Sequence, residues 1–175
     1  MDTKKLLVIS DSHEHVDKLK IALEWGKDNN IGDLVFLGDG LKYLESTCNK
    51  ISYTPNQHVV RGNHDHLGNV PNKKTLKFGG HCFFLCHGDD KLYKDNYSEL
   101  CKAAKEADAD IVLCGHHHDF KKIELDDLLI IKVGSVGAEY QNTTGSFVVI
   151  ECPPDKGIVV NLCVIEDGKI VHSIQ

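Results

Sequence analysis

Five times in this chain a short apolar run stops against a cluster that sets Asp, His or Asn beside Gly or Ser. Leu6-Leu7-Val8-Ile9 meets Ser10-Asp11-Ser12-His13, Leu34-Val35-Phe36-Leu37 meets Gly38-Asp39-Gly40, and Val59-Val60 meets Arg61-Gly62-Asn63-His64-Asp65. Phe83-Phe84-Leu85-Cys86 ends in His87-Gly88, and Ile111-Val112-Leu113-Cys114 ends in Gly115-His116-His117-His118. Unbroken apolar runs this short suit strands buried on both faces. One such end would be ordinary turn chemistry, since Gly-Asn and Asp-Gly favour tight turns. Five of them predict that groups able to bind metal, donate and accept are gathered at strand ends, where open α/β sheets place their ligands.

The segments between these runs fix the rest. Apolar residues over Glu14 to Asn30 recur at near-helical spacing, with Ser12 or Asp11 as candidate caps. A shorter helix is expected over Leu41 to Cys48, and another over Asn96 to Ala107, begun by Asn96 or Ser98. Gly79-Gly80 between two strand-like runs reads as a hairpin turn. The last third holds strand-like runs over Lys121 to Leu125, Leu128 to Val133, Gly145 to Glu151, Ile158 to Ile165 and Lys169 to Ser173. Asp126-Asp127 and Asp167-Gly168 supply tight turns between neighbours. Strands that alternate with helices early and run as hairpins late predict two packed sheets with helices on the outer faces, one sheet carrying the parallel early strands.

A chain of 175 residues fits a single domain spanning 1–175 and buries a sizeable core without staples. Seven cysteines form no CxxC pair and sit mostly in apolar runs, so they read as reduced core residues of a cytoplasmic protein. Cys82 and Cys86, four apart, read as packing before metal binding. The apolar run after Lys4-Lys5 is too short for a signal peptide, and no segment approaches a membrane span. Net charge is −6 and the lysines are scattered, which argues against a nucleic-acid polymer as partner. Eleven histidines, ten of them between positions 13 and 118, are what composition leaves to explain.

The strand-end groups are Asp11, His13, Asp39, Asn63, His64, His87, His116 and His118. Two carboxylates, an amide and several imidazoles suit a pair of borderline or hard divalent ions better than a sulfur-rich zinc site. A carboxylate shared by two ions can hold them about 3.5–4 Å apart, the spacing of two-metal phosphoryl chemistry. Asp39 is expected to be that bridge.

In order, Asp11-x-His13, Gly38-Asp39, Gly62-Asn63-His64-Asp65, His87-Gly88 and Gly115-His116-x-His118 resemble the motifs of the calcineurin-like metallophosphoesterase superfamily. The short length is similar to its small bacterial and archaeal phosphodiesterase branch, the group related to the retromer subunit Vps29. The resemblance covers about Lys5 to Val136 and implies an α/β, four-layer-like sandwich of two mixed β-sheets flanked by helices. It implies that Asp11, His13, Asp39 and His118 hold one metal and Asp39, Asn63, His87 and His116 the other. His64 is then free to assist the leaving oxygen, with Asp65 as the partner that orients it. Two divalent ions, two carboxylates and one hydroxide sum to a formal charge of about +1, which matches a phosphodiester monoanion.

The expected activity is therefore hydrolysis of phosphodiesters in small organic or nucleotide substrates, by hydroxide held between two metals. Mn is the expected ion, with Fe, Ni, Co or Zn as alternatives. Three departures stand out. His64 occupies a position where the small branch often has Cys, which favours hydrolytic competence. His117 replaces a usual Thr and is expected to point away from the metals, while Lys132-Val133-Gly134-Ser135 stands where Asn-Pro-Gly-Ser is common. His15 and His66 are read as cleft-rim or solvated residues. Competing readings are a protein-binding scaffold on the same fold and a metal store, and association of copies of the chain is left open.

Overall fold

The computed structural model describes residues 2–66, 68–89, 97–137, 144–154 and 157–174. In chain order its elements are β1 (Lys4–Ile9), α1 (Val16–Asp28), β2 (Asp33–Phe36), α2 (Leu41–Lys50), β3 (Asn56–Val59), β4 (Lys73–Phe78), β5 (His81–Cys86), α3 (Ser98–Glu106), β6 (Ile111–Cys114), β7 (Phe120–Leu125), β8 (Leu128–Val133), β9 (Gly145–Cys152), β10 (Val159–Glu166) and β11 (Lys169–Ile174). They form a six-stranded sheet in the order β11-β10-β9-β1-β2-β3 and a five-stranded sheet in the order β4-β5-β6-β8-β7. Both sheets are mixed, as expected.

β1 explains why the first apolar run is unbroken. It pairs in parallel with β2 on one side and antiparallel with β9 on the other, so it lies inside its sheet. Leu6 and Val8 face the second sheet, together with Val35, Phe83, Leu85, Leu113 and Ile131. Leu7 and Ile9 face α1 and α2, where Leu19, Leu23 and Leu44 meet them. A third apolar layer, with Phe84, Leu100, Ala104 and Ile130, joins the outer face of the second sheet to α3. The result is helix, sheet, sheet, helix. Each fully buried Leu or Ile contributes on the order of 1.5–3 kcal/mol through removal from water.

The sequence suggested one sheet with parallel strands, but both have them. β1, β2 and β3 are mutually parallel in the first sheet, and β5, β6 and β8 are parallel in the second. The hairpin β4–β5 in front of the second trio hides this, because an antiparallel start resembles the later meander. The two trios aim their carboxyl ends at the same edge. Backbone bonds from Val136 N–H to the Ser10 carbonyl (2.9 Å) and from Gly137 N–H to the Asp11 carbonyl (3.1 Å) tie the strand ends across the sheets.

Helix starts also differ. α1 begins at Val16 with His15 at its cap and no side-chain bond there, so neither Asp11 nor Ser12 caps it. Residues 11–15 are occupied by turns at the strand end, and Asp11 and His13 both have positive φ. α3 begins at Ser98, while Asn96 lies outside the described residues. Among the described residues no helix is long and apolar enough to cross a membrane.

Candidate metal centre

The carboxyl ends of five of the six parallel strands bring the sequence-selected side chains together. Asp11 follows β1, Asp39 follows β2, Asn63 follows β3, His87 follows β5, and His116 and His118 follow β6. Two groups have ligand atoms close enough for one ion each: Asp11, His13 and His118, and Asp11, Asp39 and His87. Asp11 Oδ1 lies 3.3 Å from His118 Nε2, 3.9 Å from His87 Nε2 and 4.0 Å from His13 Nε2. Asp39 Oδ2 is 3.3 Å from His87 Nε2, and Asn63 Oδ1 is 3.0 Å from the same nitrogen. His116 stacks edge-on against His87, with 5.1 Å between ring centroids.

Asp11 is common to both of these groups, while Asp39, the expected bridge, belongs to one of them. Asp39 Oδ1 already accepts the His64 backbone N–H at 2.8 Å, which leaves Oδ2 to face the gap.

The geometry is held from behind. Ser10 Oγ and the His116 N–H both donate to Asp11 Oδ2, and Ser135 Oγ donates to the Asp11 carbonyl at 2.8 Å. This fixes the carboxylate so that Oδ1 alone points into the centre. The Leu37 carbonyl accepts from His87 Nδ1 at 2.8 Å, which assigns the proton to Nδ1 and directs Nε2 inward. Ser10 and Ser135 stand in segments named in the sequence, one directly before Asp11 and the other two residues past β8, but no role attaches to either there.

Backbone strain concentrates in the same place. Asp11, His13, Asp39, His116 and His118 all adopt left-handed φ, between 45° and 67°. Asp and His tolerate this region better than most side chains, yet each such residue still costs of order 1 kcal/mol or more. Two glycines are required by close approach. A Cβ on Gly62 would overlap the Asp39 carboxylate, and one on Gly115 would overlap Ser10 Oγ and crowd Asp11 Oδ2.

Asp65 has a different use from the expected one. Its carboxylate accepts four backbone N–H groups, from Asp39 (2.7 Å), Gly40 (3.0 Å), Leu41 (3.0 Å) and Gly62 (3.0 Å). It therefore caps α2 from another part of the chain and ties the β2 and β3 ends together, instead of orienting the His64 ring. The His64 ring is exposed beside His13, with centroids 5.6 Å apart.

The electrostatics call for positive charge. Burial disfavours a charged His87, but Asp39 and Asp11 outweigh it and lift the imidazole to about 9. His118 is raised by the Asp11 carboxylate beside it, whereas burial lowers His13 and His116. Burial would raise the Asp39 carboxyl, yet His87 and the His64 N–H bring it below its usual value. Asp11 Oδ1 is fully buried and has no hydrogen-bond partner. A buried oxygen left unpaired costs about 1–3 kcal/mol, more when charged. The donor set and this orphaned oxygen fit divalent cations.

The remaining expectations fall outside the two groups. His117 is half-buried with its ring against His116, 5.4 Å between centroids. His66 is exposed and lines a cavity beside Asn63, while His15 occupies the N-cap position of α1 without a side-chain cap bond. Cys82 and Cys86 belong to neither metal group, and Cys86 packs in the core beneath α3.

Comparison with known proteins agrees with this architecture. The chain is 25% identical over 146 residues to a Methanocaldococcus jannaschii protein named phosphodiesterase MJ0936, covering 74% of this chain and 82% of that one. Its fold is similar to that of a single-mutant Vps29 from Entamoeba histolytica, with a TM-score of 0.80, 21% identity and 97% of each chain covered. It is also similar to a Streptococcus pneumoniae protein described as a predicted phosphoesterase, with a TM-score of 0.76, 21% identity, and coverage of 100% of this chain and 99% of the other. Residues 5–155 match the family model of the calcineurin-like phosphoesterase superfamily domain, and the chain belongs to that superfamily.

Proposed function

We propose that residues 1–175 act as one metallophosphoesterase domain that hydrolyses phosphodiesters of small organic or nucleotide substrates with two divalent cations. The observation that carries this reading is the buried, unpartnered Asp11 Oδ1 within 4.0 Å of the His13, His87 and His118 Nε2 atoms. Asp11, His13, Asp39 and His118 hold one cation, and Asp39, Asn63, His87 and His116 the other, with Asp11 and Asp39 both facing the gap. When bound, such a pair makes water a nucleophile near neutral pH and offsets charge on the phosphoryl oxygens. Mn is the ion we assign for assay.

The chain's own side chains do the rest. Ser10, Ser135 and the His116 N–H keep Asp11 in one orientation, and the Leu37 carbonyl keeps His87 in one tautomer. His64, exposed at the mouth and outside both ligand groups, carries a proton to the leaving oxygen. Asp65 positions Asp39 through the backbone. The free cysteines, five of the seven buried, agree with a cytoplasmic setting.

The likeness in fold to Vps29 gives the scaffold reading its standing. The complete ligand set and His64 favour hydrolysis, because a scaffold needs neither. The test compares bis(p-nitrophenyl) phosphate with p-nitrophenyl phosphate, using wild type and His64→Ala loaded with Mn. We expect the diester to be preferred and kcat to fall about 10²–10⁴-fold in the variant with metal content unchanged. A strong monoester preference would make the protein a phosphatase, and no turnover of either would return the scaffold reading.

A further inference from the structure

Beside Asn63 lies a cavity of about 500 Å³ that the metal chemistry leaves unused. Arg61, His66, Asn72 and Asp89 line it together with Asn63 and Asp65. Arg61 is half-buried there and fixed at two points. Its backbone N–H donates to the Pro71 carbonyl at 2.9 Å, and its Nε donates to Asn72 Oδ1 at 3.0 Å. A guanidinium has five N–H donors, so four remain on the two terminal nitrogens. Among the described residues no carboxylate pairs with them.

The two acids of the cavity do not cancel this charge. Asp65 is turned onto four backbone amides, and among the described residues Asp89 makes no ion pair with Arg61. A pre-oriented fork with free terminal donors is suited to bidentate recognition of a phosphate, and Lys cannot imitate it. Its neighbours Asn63, His66 and Asn72 are polar, and the volume leaves room for a sugar-sized linker.

We propose that Arg61 is a specificity-determining residue that binds a second phosphate, carried by the substrate on one side of the scissile ester. The favoured substrates are then phosphodiesters whose alcohol or acyl-free sugar moiety bears another phosphate, with the linking group seated in this cavity. This rests on the phosphodiesterase reading for its substrate class, but the anion site can be measured without turnover.

The test is calorimetric binding of thymidine 5′-monophosphate and thymidine 3′,5′-bisphosphate to Mn-loaded wild type, Arg61→Gln, Arg61→Lys and Asn72→Ala. We expect wild type to bind the bisphosphate about tenfold more tightly than the monophosphate. The gap should close in Arg61→Gln and shrink in Arg61→Lys and Asn72→Ala, which keep the charge but lose the fork or its anchor. An equal gap in wild type and Arg61→Gln, or no gap in wild type, would overturn the proposal. Wild-type hydrolysis of bis(p-nitrophenyl) phosphate, which has no second anion, reports on the enzymatic reading alone. If it fails while the Arg61-dependent gap persists, the hydrolase reading falls and the anion site stands.

Discussion

Asp65 governs this centre without entering it. One carboxylate accepts the N–H groups of Asp39, Gly40, Leu41 and Gly62, so it fixes an expected ligand, caps a helix and joins two strand ends. Asp65→Asn keeps the shape but offers one acceptor oxygen, leaving two buried donors facing an NH₂ group. We expect a stability loss of about 2–4 kcal/mol by urea denaturation, because lost charge-assisted bonds and stranded donors add. Weaker metal retention should accompany it, since Asp39 loses its backbone anchor. The candidate metal-binding side chains were legible in the sequence because they cluster where apolar runs end. Asp65 was legible as a residue of the site, but its role was not, nor were those of Ser10 and Ser135, since no local pattern records which groups they bond.

The strands were the most legible elements, for a physical reason. β1, β2, β5 and β6 are covered on both faces, so selection for burial leaves continuous apolar runs that end where burial ends. The helix caps were illegible for the opposite reason: α2 is capped by Asp65, 24 and 25 residues away from the two amides it serves there. The second parallel trio was masked by the hairpin that precedes it. β5 joins the inter-sheet core to the site, since Leu85 is buried two residues before His87. Leu85→Ala should cost about 2–5 kcal/mol by urea denaturation, through lost contact and a residual cavity. Metal stoichiometry below the unfolding transition should remain that of wild type, because the ligand-bearing loops are tied across the sheets by Ser10, Asp11, Val136 and Gly137.

The whole chain packs five of its seven thiols out of reach. Cys48, Cys86, Cys114, Cys152 and Cys163 are buried, and only Cys82 and Cys101 are half-buried. Burial pushes Cys48 up to about 11 and Cys114 and Cys163 up to about 12. A thiol raised in the folded state leaves stability intact below its unfolded value near 9, and takes it away as pH rises toward the folded value. The folded protein should therefore lose stability progressively above pH 9, measurable as a falling urea midpoint. At pH 8, thiol alkylation should modify Cys82 and Cys101 first and reach the other five only on unfolding. The most direct test of the two-cation account is stepwise return of Mn to chelator-stripped protein, following bound metal and bis(p-nitrophenyl) phosphate hydrolysis together. We expect both to reach a plateau at about two equivalents, and Asp11→Ala, which removes the oxygen within 4.0 Å of the His13, His87 and His118 Nε2 atoms, to lose metal and activity together. Hydrolysis that survives chelation, or full activity in Asp11→Ala, would contradict it.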